Sequence, residues 1–470
     1  MITNTTTIRL EIEKGIRQKG HSLSSFGKQA GINRGIISGI LNGNPPKSIS
    51  IRQLDLMAEA LGHAEGWMYE YYVDECFINE KADWRRIKAF LLRCTEIGRY
   101  DCIQEVLDRL MEDLNNTISI FGLAEELYAE GKVQESLPFY ECVIENEKHQ
   151  HSERLAIAHY RVFRASIGDN TEKNFRAAIR FETFRDRLPE NFMLDGLLAL
   201  SNIYYVLQDW NIVEKCADEL ISIIQTIYKN EEKKMEESNN YTALDTERPL
   251  VFYYGQSYLI KGVALEHKGK YEESKTYIHK YMDLSWFKGL DDAGQEEIKR
   301  LSHYATANMY LVEVLMGNTD VLPAYVNFLE KHPAEILPAM FIILKAANMH
   351  GFDVDNLLVK FESFLEYDES SENHYSKVAV INRYVNFHYQ LAIYSAKKNL
   401  YSDCISNLLK SLNLAIKISS KNKILDVIAF IEQIKTFASE TQLFEYESLL
   451  KGVGTDEKIY DFANFISRAN

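Results

Sequence analysis

The sequence predicts an all-α protein in which an N-terminal helix-turn-helix domain is followed by a long array of helical pairs. Apolar residues recur at the three- and four-residue spacing of helices, and the alternation typical of β-strands is hard to find. The chain has only 8 prolines in 470 residues, so few positions interrupt a helix. A glycine or asparagine followed by a new helix start recurs along the chain, as the turns between stacked helices require.

The first two helices are predicted from apolar spacing and from a cap. An apolar residue recurs every four positions near the N-terminus, at Ile8, Ile12 and Ile16, and gives one helix a single apolar stripe. Ser22 is placed to accept a backbone N–H at the start of a second helix. Gly31 makes the short turn that ends this helix, and Gly27 is predicted to lie where two helices cross closely.

The third helix, predicted over 34–42, is the most informative stretch of the chain. Asn33 is placed to cap its start, and Asn42-Gly43 is expected to end it through a left-handed residue. Its apolar residues share one face, which carries Ile37, Ile40 and Leu41. The other face carries small and polar side chains, namely Arg34, Gly35, Ser38 and Gly39. A further helix capped by Ser50 is predicted to end at Gly62.

The small residue at position 27, Gly31 and β-branched Ile37 together resemble the helix-turn-helix of the phage-repressor (XRE/Cro) family, over about residues 8–62. The resemblance implies that the third helix enters the major groove of double-stranded operator DNA. The implied DNA-contact residues are Ser22, Lys28, Asn33, Arg34, Gly35, Ser38, Gly39 and Asn42. A small helical cap without a role in DNA binding is the alternative.

The charge distribution divides the chain in the same way. Residues 1–66 contain eight basic and five acidic residues, a net charge of +3, whereas the whole chain carries −15. The remainder therefore carries −18 and should be repelled by DNA. Since neutralisation of phosphates supplies much of the affinity for DNA, this distribution favours DNA contact confined to the N-terminal end.

Length and composition favour a large cytosolic protein. A chain of 470 residues predicts two or more domains, and 46% apolar with 12% aromatic residues exclude general disorder. Neither a secretory signal nor a run of about 18 apolar residues is evident, so no membrane contact and a cytoplasmic location are expected. The six cysteines are scattered without a CxxC pair, which predicts reduced core residues.

Residues 80–470 are predicted to form helical pairs around a recurring turn. The turns begin at Gly98, Gly131, Gly269 and Asn399, and the first two lie 33 residues apart. These segments resemble tetratricopeptide repeats, in which a small residue such as Ser136, Ser274 or Cys404 lets the two helices pack closely. The resemblance implies a right-handed α-solenoid with a concave surface lined by the first helix of each pair. The predicted pairs are 81–96 with 100–114, 117–130 with 133–147, 152–167 with 171–187, 191–207 with 210–228, 249–267 with 271–286, 293–316 with 320–330, 334–349 with 354–366, 375–397 with 401–418, and 422–438 with 442–465. Residues 230–247 are predicted to be a flexible loop or a solvated helix extension.

The combination of a helix-turn-helix with a long tetratricopeptide-like array resembles the RRNPP family of Gram-positive peptide-pheromone receptors. The resemblance implies a DNA-binding domain at 1–66, a linker at 67–79, and a peptide-binding and dimerisation domain at 80–470. It also implies a homodimeric quorum-sensing transcription regulator, switched by a short signalling peptide. In this family, asparagine side chains hold the peptide backbone, because an amide satisfies both groups of a peptide unit. The implied peptide-contact residues are Asn202, Tyr205, Gln256, Tyr304, Asn308, Asn382, Asn386 and Tyr389. Ordinary polar packing is the alternative for each asparagine.

Catalytic signals are weak. Neither H-E-x-x-H nor G-x-S-x-G occurs, and Gly262 lies too far from Gly269-Lys270 for a phosphate-binding loop. We therefore expect no enzyme, no metal site and no cofactor. Two alternatives to the peptide-switched regulator remain: a scaffold that binds and inhibits a protein partner, and a phage or mobile-element receptor for a communication peptide.

Overall fold

The computed structural model describes residues 7–78, 81–147, 152–168, 170–237, 242–367 and 377–453. These residues form 24 α-helices, five short 3-10 segments and two paired strands of two residues each. The predicted all-α class is therefore confirmed. The chain divides into two compact units: unit 1 holds Met1–Ser166 with Ile179–Leu188, and unit 2 holds Ile167–Ala178 with Pro189–Asn470.

Unit 1 contains the first ten helices. They are α1 (Ile8–Gln18), α2 (Leu23–Ala30), α3 (Arg34–Asn42), α4 (Ile51–Leu61), α5 (Tyr69–Glu75), α6 (Trp84–Ile97), α7 (Tyr100–Leu110), α8 (Thr117–Ala129), α9 (Val133–Glu147) and α10 (Glu153–Ser166). Strands β1 (Phe77–Ile78) and β2 (Lys81–Ala82) pair antiparallel between α5 and α6. Helix α11 (Thr171–Glu182) is divided between the units.

Unit 2 contains the remaining helices. They are α12 (Glu190–Val206), α13 (Trp210–Glu237), α14 (Leu250–His267), α15 (Tyr271–Met282), α16 (Asp292–Leu315), α17 (Leu322–Lys331), α18 (Ile336–His350), α19 (Asp355–Lys360), α20 (Glu362–Leu365), α21 (Lys377–Lys397), α22 (Tyr401–Lys417), α23 (Lys421–Ile434) and α24 (Glu440–Val453). The 3-10 segments are Leu114–Asn116, Arg185–Arg187, Thr319–Val321, Pro333–Glu335 and Lys435–Phe437.

One hydrophobic core runs through unit 1. The apolar stripe of α1 packs with Phe26 of α2 and Ile37 of α3, and the same cluster continues through α5 to α10. Residues 67–79, the predicted linker, include α5, whose Tyr69 and Tyr72 are fully buried. The Tyr72 hydroxyl donates to the Ile49 carbonyl at 2.9 Å. The functional boundary at residue 66, between the DNA-binding domain and the linker, stays a prediction.

The predicted helix caps are confirmed. Ser22 and Ser50 each form a capping box, with Ser25 and Gln53 respectively, and the Asn33 side chain accepts the Gly35 N–H at 2.7 Å. The residues at the turns between paired helices take the left-handed backbone conformation. Gly98, Gly131 and Gly269 have φ between 73° and 79°, and Asn399 takes the same left-handed conformation at 61°.

Helix α3 ends at Asn42 as predicted, but the predicted left-handed residue at its end is wrong. Gly43 has φ −69° and ψ 150°, which is an extended rather than a left-handed conformation. A glycine is needed there for space, since a Cβ at Gly43 would lie 2.3 Å from the Gly39 carbonyl oxygen. The chain then folds back, and the Lys47 N–H donates to that carbonyl at 2.9 Å. The last turn of α3 is therefore satisfied by a returning loop rather than by a glycine cap.

The helical pairs of unit 2 follow the predicted ranges, with three differences. Helix α13 continues to Glu237, so the polar stretch is partly a helix extension, and its Glu231 is buried and accepts the Leu244 N–H. The second helix of the seventh pair is broken into α19 and α20. The last helix is described only to Val453.

The first helices of successive pairs also pack on one another. Helix α12 contacts α14, α14 contacts α16, α16 contacts α18, and α18 contacts α21. We call α12, α14, α16, α18 and α21 the first-helix layer. Ser274 shows why a small residue opens a second helix, because its buried hydroxyl donates to the Gly262 carbonyl across the pair at 2.8 Å. Among the described residues, no helix combines the length and apolar composition needed to cross a bilayer.

Candidate nucleic-acid interface and peptide-contact residues

Helix α3 presents one exposed face in the group of helices α1–α4, which we call the head. Ile37 and Ile40 are buried, whereas Arg34, Gly35 and Asn42 are exposed and Ser38 and Gly39 are half-buried. At 100° per residue, Arg34, Ser38 and Asn42 form one row along this face. The small residues leave the backbone of α3 accessible beside the Arg34 guanidinium.

Lys47 crosses the same face. A Cβ at Gly39 would lie 2.9 Å from Lys47 Cδ, so the aliphatic stem of Lys47 lies directly over the glycine. The fold-back of the loop after α3 creates this position, because it bonds the Lys47 backbone to Gly39. The missing side chain at position 39 therefore brings a second cation to the face that carries Arg34.

Four exposed cations of the head make no ion pair or side-chain hydrogen bond with any residue that the structure describes. They are Lys28 on α2, Arg34 on α3, Lys47 in the following loop and Arg52 on α4. The basic residues of α1 are engaged: Lys14 pairs with Glu11, Arg17 pairs with Glu13, and Arg9 binds Glu75 through its two terminal guanidinium nitrogens.

Four of the five acidic residues of 1–66 form ion pairs, two of them within α1 and two with a residue outside the head. Asp55 and Glu65 both contact Arg93 of α6, at 3.1 and 3.0 Å, and Asp55 also accepts the Tyr69 hydroxyl. Helices α2, α3 and α4 have no acidic residue in their first turns. The partial positive charge of these three helix starts is thus not offset by a carboxylate within the first turn, which suits an anionic ligand.

The predicted residues at the caps already have partners. The Ser22 hydroxyl accepts the Ser25 N–H at 3.2 Å, and the Asn33 carbonyl oxygen accepts from Gly35. The Asn33 amide group remains exposed at the start of α3. These two side chains therefore set where α2 and α3 begin, and Lys28 and Arg34 carry the charge.

In unit 2, the first-helix layer keeps a partly exposed face. On α14, partly exposed residues recur every three or four positions, at Phe252, Gln256, Leu259, Val263 and His267. Helix α18 does the same at Leu337, Phe341 and Lys345, and α21 at Asn382, Asn386, Tyr389 and Ile393. This spacing puts each set on one side of its helix.

The amide candidates differ in whether their side chains already form hydrogen bonds within the protein. Asn202 is exposed on α12 and Gln256 is half-buried on α14, and neither side chain bonds to another described residue. The Asn308 amide donates to the hydroxyl of buried Tyr281 at 2.9 Å, and the Asn386 amide donates to the Asn382 carbonyl at 2.9 Å. The Asn382 side chain makes no such bond.

The aromatic candidates pack beside the layer. Tyr205 is 47% exposed, and its ring stands edge-on to Trp210 at 5.4 Å, while Trp210 stacks on His267 at 3.7 Å. Burial lowers the pKa of His267 to about 3, so this stacked imidazole is neutral. Tyr304 is half-buried within the core of α14–α16, and Tyr389 stands edge-on to Phe430 of α23.

The structure brings some candidates onto neighbouring helices and leaves others apart. Asn202, Gln256 and Asn308 lie on three helices that contact in succession, whereas Asn382 and Asn386 on α21 are separated from them by α18. Sequence reasoning gave no candidate on α18, and it missed Lys47, Arg52 and the Trp210–His267 stack. Only Arg52 had a sequence signal, since it lies in the first turn of a helix, two residues after the capping Ser50.

Among the residues that the structure describes, no group of three or more His, Cys, Asp or Glu side chains could hold a metal ion. All six cysteines are buried and unpaired, as predicted. No protein-family model matches this chain, and a search of curated proteins finds no significant match.

Proposed function

We propose that this protein is a DNA-binding transcription regulator whose affinity for its operator is switched by a short peptide bound to the first-helix layer. The observation that carries the proposal is the set of four unpaired cations of the head on α2, α3, α4 and the loop between α3 and α4. Arg34 reads a base edge, while Lys28, Lys47 and Arg52 contact phosphates.

The peptide-binding part rests on the partly exposed sides of α14, α18 and α21 in the first-helix layer. The predicted amide candidates occur on four of its five helices, and three of them have no partner among the described residues: Asn202, Gln256 and Asn382. An extended peptide of about five to ten residues, at roughly 3.3 Å per residue, spans several such helices. It switches the protein only if it binds one conformation better than the other.

The regulator acts as a homodimer. A single head offers a small contact area, and helix-turn-helix proteins read two half-sites about 34 Å apart. Light scattering of the full chain with and without DNA measures this directly. A monomer under both conditions contradicts the dimer.

The DNA-binding test uses fluorescence anisotropy of a mixed-sequence duplex over a range of salt concentrations. We expect the slope of log affinity against log salt to fall by about 0.9 for each phosphate contact removed by Lys47→Gln or Arg52→Gln. Lys14→Gln is the control, because Lys14 is already paired with Glu11.

Arg34→Ala should instead reduce discrimination of a selected operator by about 1–3 kcal/mol. Equal slopes for all variants and the wild type overturn DNA binding by the head.

A protein-binding scaffold is the second candidate, and one feature of unit 1 favours it. A cavity of about 580 Å³ lies between α7 and α9, with an apolar floor that includes Ile103 and Pro138. Its rim carries only acidic charges, at Asp108, Glu112, Glu141 and Glu145. These carboxylates repel DNA. If the variants of the head leave the salt dependence of DNA binding unchanged, we would assign this protein to the protein-binding scaffolds. A phage or mobile-element receptor of a communication peptide shares the same chemistry, and genomic context separates it from a chromosomal regulator.

A further inference from the structure

The groove between α7 and α9 in unit 1 has an apolar floor and an exposed acidic rim. It encloses about 580 Å³, within the range of about 300–1,000 Å³ that is usual for ligand sites. The side chains of Ile103 and Cys142 are buried, whereas every carboxylate that lines the groove is exposed. Tyr100, the first residue of α7, also lines the groove and is 49% exposed. An apolar side chain from another molecule can therefore rest on the floor while the charges stay at the rim.

The four carboxylates of the rim form two rows, one on each side of the groove. Glu141 and Glu145 lie four residues apart on α9, and Asp108 on α7 is followed by Glu112 in the turn after that helix. Residues four apart share one side of a helix and are separated by about 6 Å along its axis. The Gln104 amide donates to Asp108 at 2.8 Å, so one of the four carboxylates has a neutral partner.

No basic side chain lines this groove among the described residues. Helix α9 contains neither Lys nor Arg. The single basic residue of α7, Arg109, donates to Asp74 at 2.8 Å and lies over the Phe77 ring at 4.1 Å. Three rim carboxylates have no hydrogen bond or ion pair with any described residue, namely Glu112, Glu141 and Glu145. Because like charges repel, a cationic partner would be attracted to both rows.

The thiol of Cys142 belongs to the uncharged floor. Burial raises the pKa of this thiol to about 12, and the charges of Glu145 and Asp108, one from each row, add to the shift. The thiol therefore stays protonated at neutral pH. With Ile103 and Pro138 it gives the floor an apolar surface.

We propose that the groove between α7 and α9 docks a basic amphipathic helix of a partner protein, which places an apolar side chain on the floor and Lys or Arg side chains on the two carboxylate rows. The partner segment is helical, because Lys or Arg residues four apart repeat at the same spacing of about 6 Å as Glu141 and Glu145. Nucleic acid does not fit, since its phosphates would meet four carboxylates. Docking here does not require DNA binding by the head, and it gives the protein-binding candidate function a partner of defined chemistry.

The test is fluorescence anisotropy of labelled, alanine-based helical peptides with the full-length protein. The first peptide has a central leucine flanked on each side by two lysines four residues apart. In the second peptide glutamine replaces every lysine, and in the third serine replaces the leucine. The first should bind about tenfold more tightly than the second, as four exposed ion pairs predict, and more tightly than the third. Its affinity should fall as salt is added.

The protein variants locate the binding. Glu112→Gln combined with Glu141→Gln removes one carboxylate from each row and should weaken binding of the lysine peptide about threefold. Glu105→Gln combined with Glu135→Gln is the matched control, because it removes the same charge from α7 and α9 at positions that do not line the groove. The control should bind like the wild type. Thermal melting confirms that both variants are folded.

Three results overturn this assignment. If both double variants lose affinity equally, binding follows net charge and the groove is not the site. If the glutamine or the serine peptide binds as tightly as the first, the groove does not recognise a segment that is both basic and apolar. If the Glu112 and Glu141 variant changes self-association in light scattering but not peptide affinity, the groove receives a second copy of this chain. In each case DNA binding by the head stands or falls separately, by the salt dependence on DNA.

Discussion

The head and the first-helix layer handle polar groups in opposite ways. In the head, acidic residues such as Asp55 are paired with Arg93, and the cations Lys28, Arg34 and Lys47 are exposed and unpaired. In the first-helix layer, Asn308 and Asn386 already donate hydrogen bonds within the protein, and the carboxylate of Glu266 is buried. Exposed charge suits fast, salt-dependent contact with a polyanion, whereas a buried polar surface suits selection of a specific ligand.

This difference also predicts where substitutions change stability and where they change binding. Removing an exposed, unpaired cation leaves no buried group unsatisfied, so the head should tolerate it. Changing a buried group of the first-helix layer alters the folded state before any ligand arrives. The three predictions that follow test this contrast in order of expected effect.

The largest effect is expected for Glu266→Gln. The pKa of Glu266 is about 7 in the folded protein against 4.5 without the shift, so the folded state retains a proton that the unfolded state loses above pH 4.5. Stability therefore falls as the pH rises from about 4.5 to 7 and stays reduced above that window. Glu266→Gln removes the penalty and should stabilise the protein at pH 8 by up to about 3 kcal/mol. Urea unfolding at pH 5 and pH 8 measures the difference.

Glu272→Gln is the matched control for that substitution. Glu272 lies on α15, and its exposed carboxylate is 3.8 Å from Lys275. Its loss should change stability by less than about 0.5 kcal/mol at either pH. A similar pH response in both variants would mean that the burial of Glu266 does not set the pH dependence.

The sequence predicted those features that depend on neighbouring residues. Ser50 with Gln53, Asn33 with Gly35, and the left-handed Asn399 all act within four residues, so their chemistry can be read directly from the chain. Glu266 is buried only once other helices pack on α14, and Lys47 reaches α3 only because the loop folds back. Neither position has a local pattern, since each is created by contacts between segments distant in sequence.

A smaller effect is expected when the two asparagines of α21 are compared. Asn382 has no side-chain partner among the described residues, so Asn382→Ala should weaken binding of a peptide selected from a pool of random heptapeptides by about 1–3 kcal/mol. Asn386 must first give up its bond to the Asn382 carbonyl, so Asn386→Ala should weaken binding less. Calorimetry measures both. Asn413→Ala, on the exposed side of α22, is the control and should have no effect. A greater loss for Asn386 than for Asn382 would reverse our assignment of these two side chains.

The smallest effect is expected for Gly39→Ala, and it separates stability from binding within the head. Alanine is more favourable than glycine inside a helix by about 1 kcal/mol. The three atoms nearest to the new methyl group all belong to the flexible side chain of Lys47, the closest at 2.9 Å. The head should therefore become slightly more stable. DNA affinity should nevertheless fall several-fold, because the methyl group displaces the Lys47 stem and blocks close approach to the α3 backbone.

Gly122→Ala on α8 is the matched control, since nothing lies within 4 Å of a Cβ there. It should give the same gain in melting temperature with unchanged anisotropy on DNA. If Gly39→Ala also leaves DNA affinity unchanged, then neither Lys47 nor the bare backbone of α3 contributes to the interface.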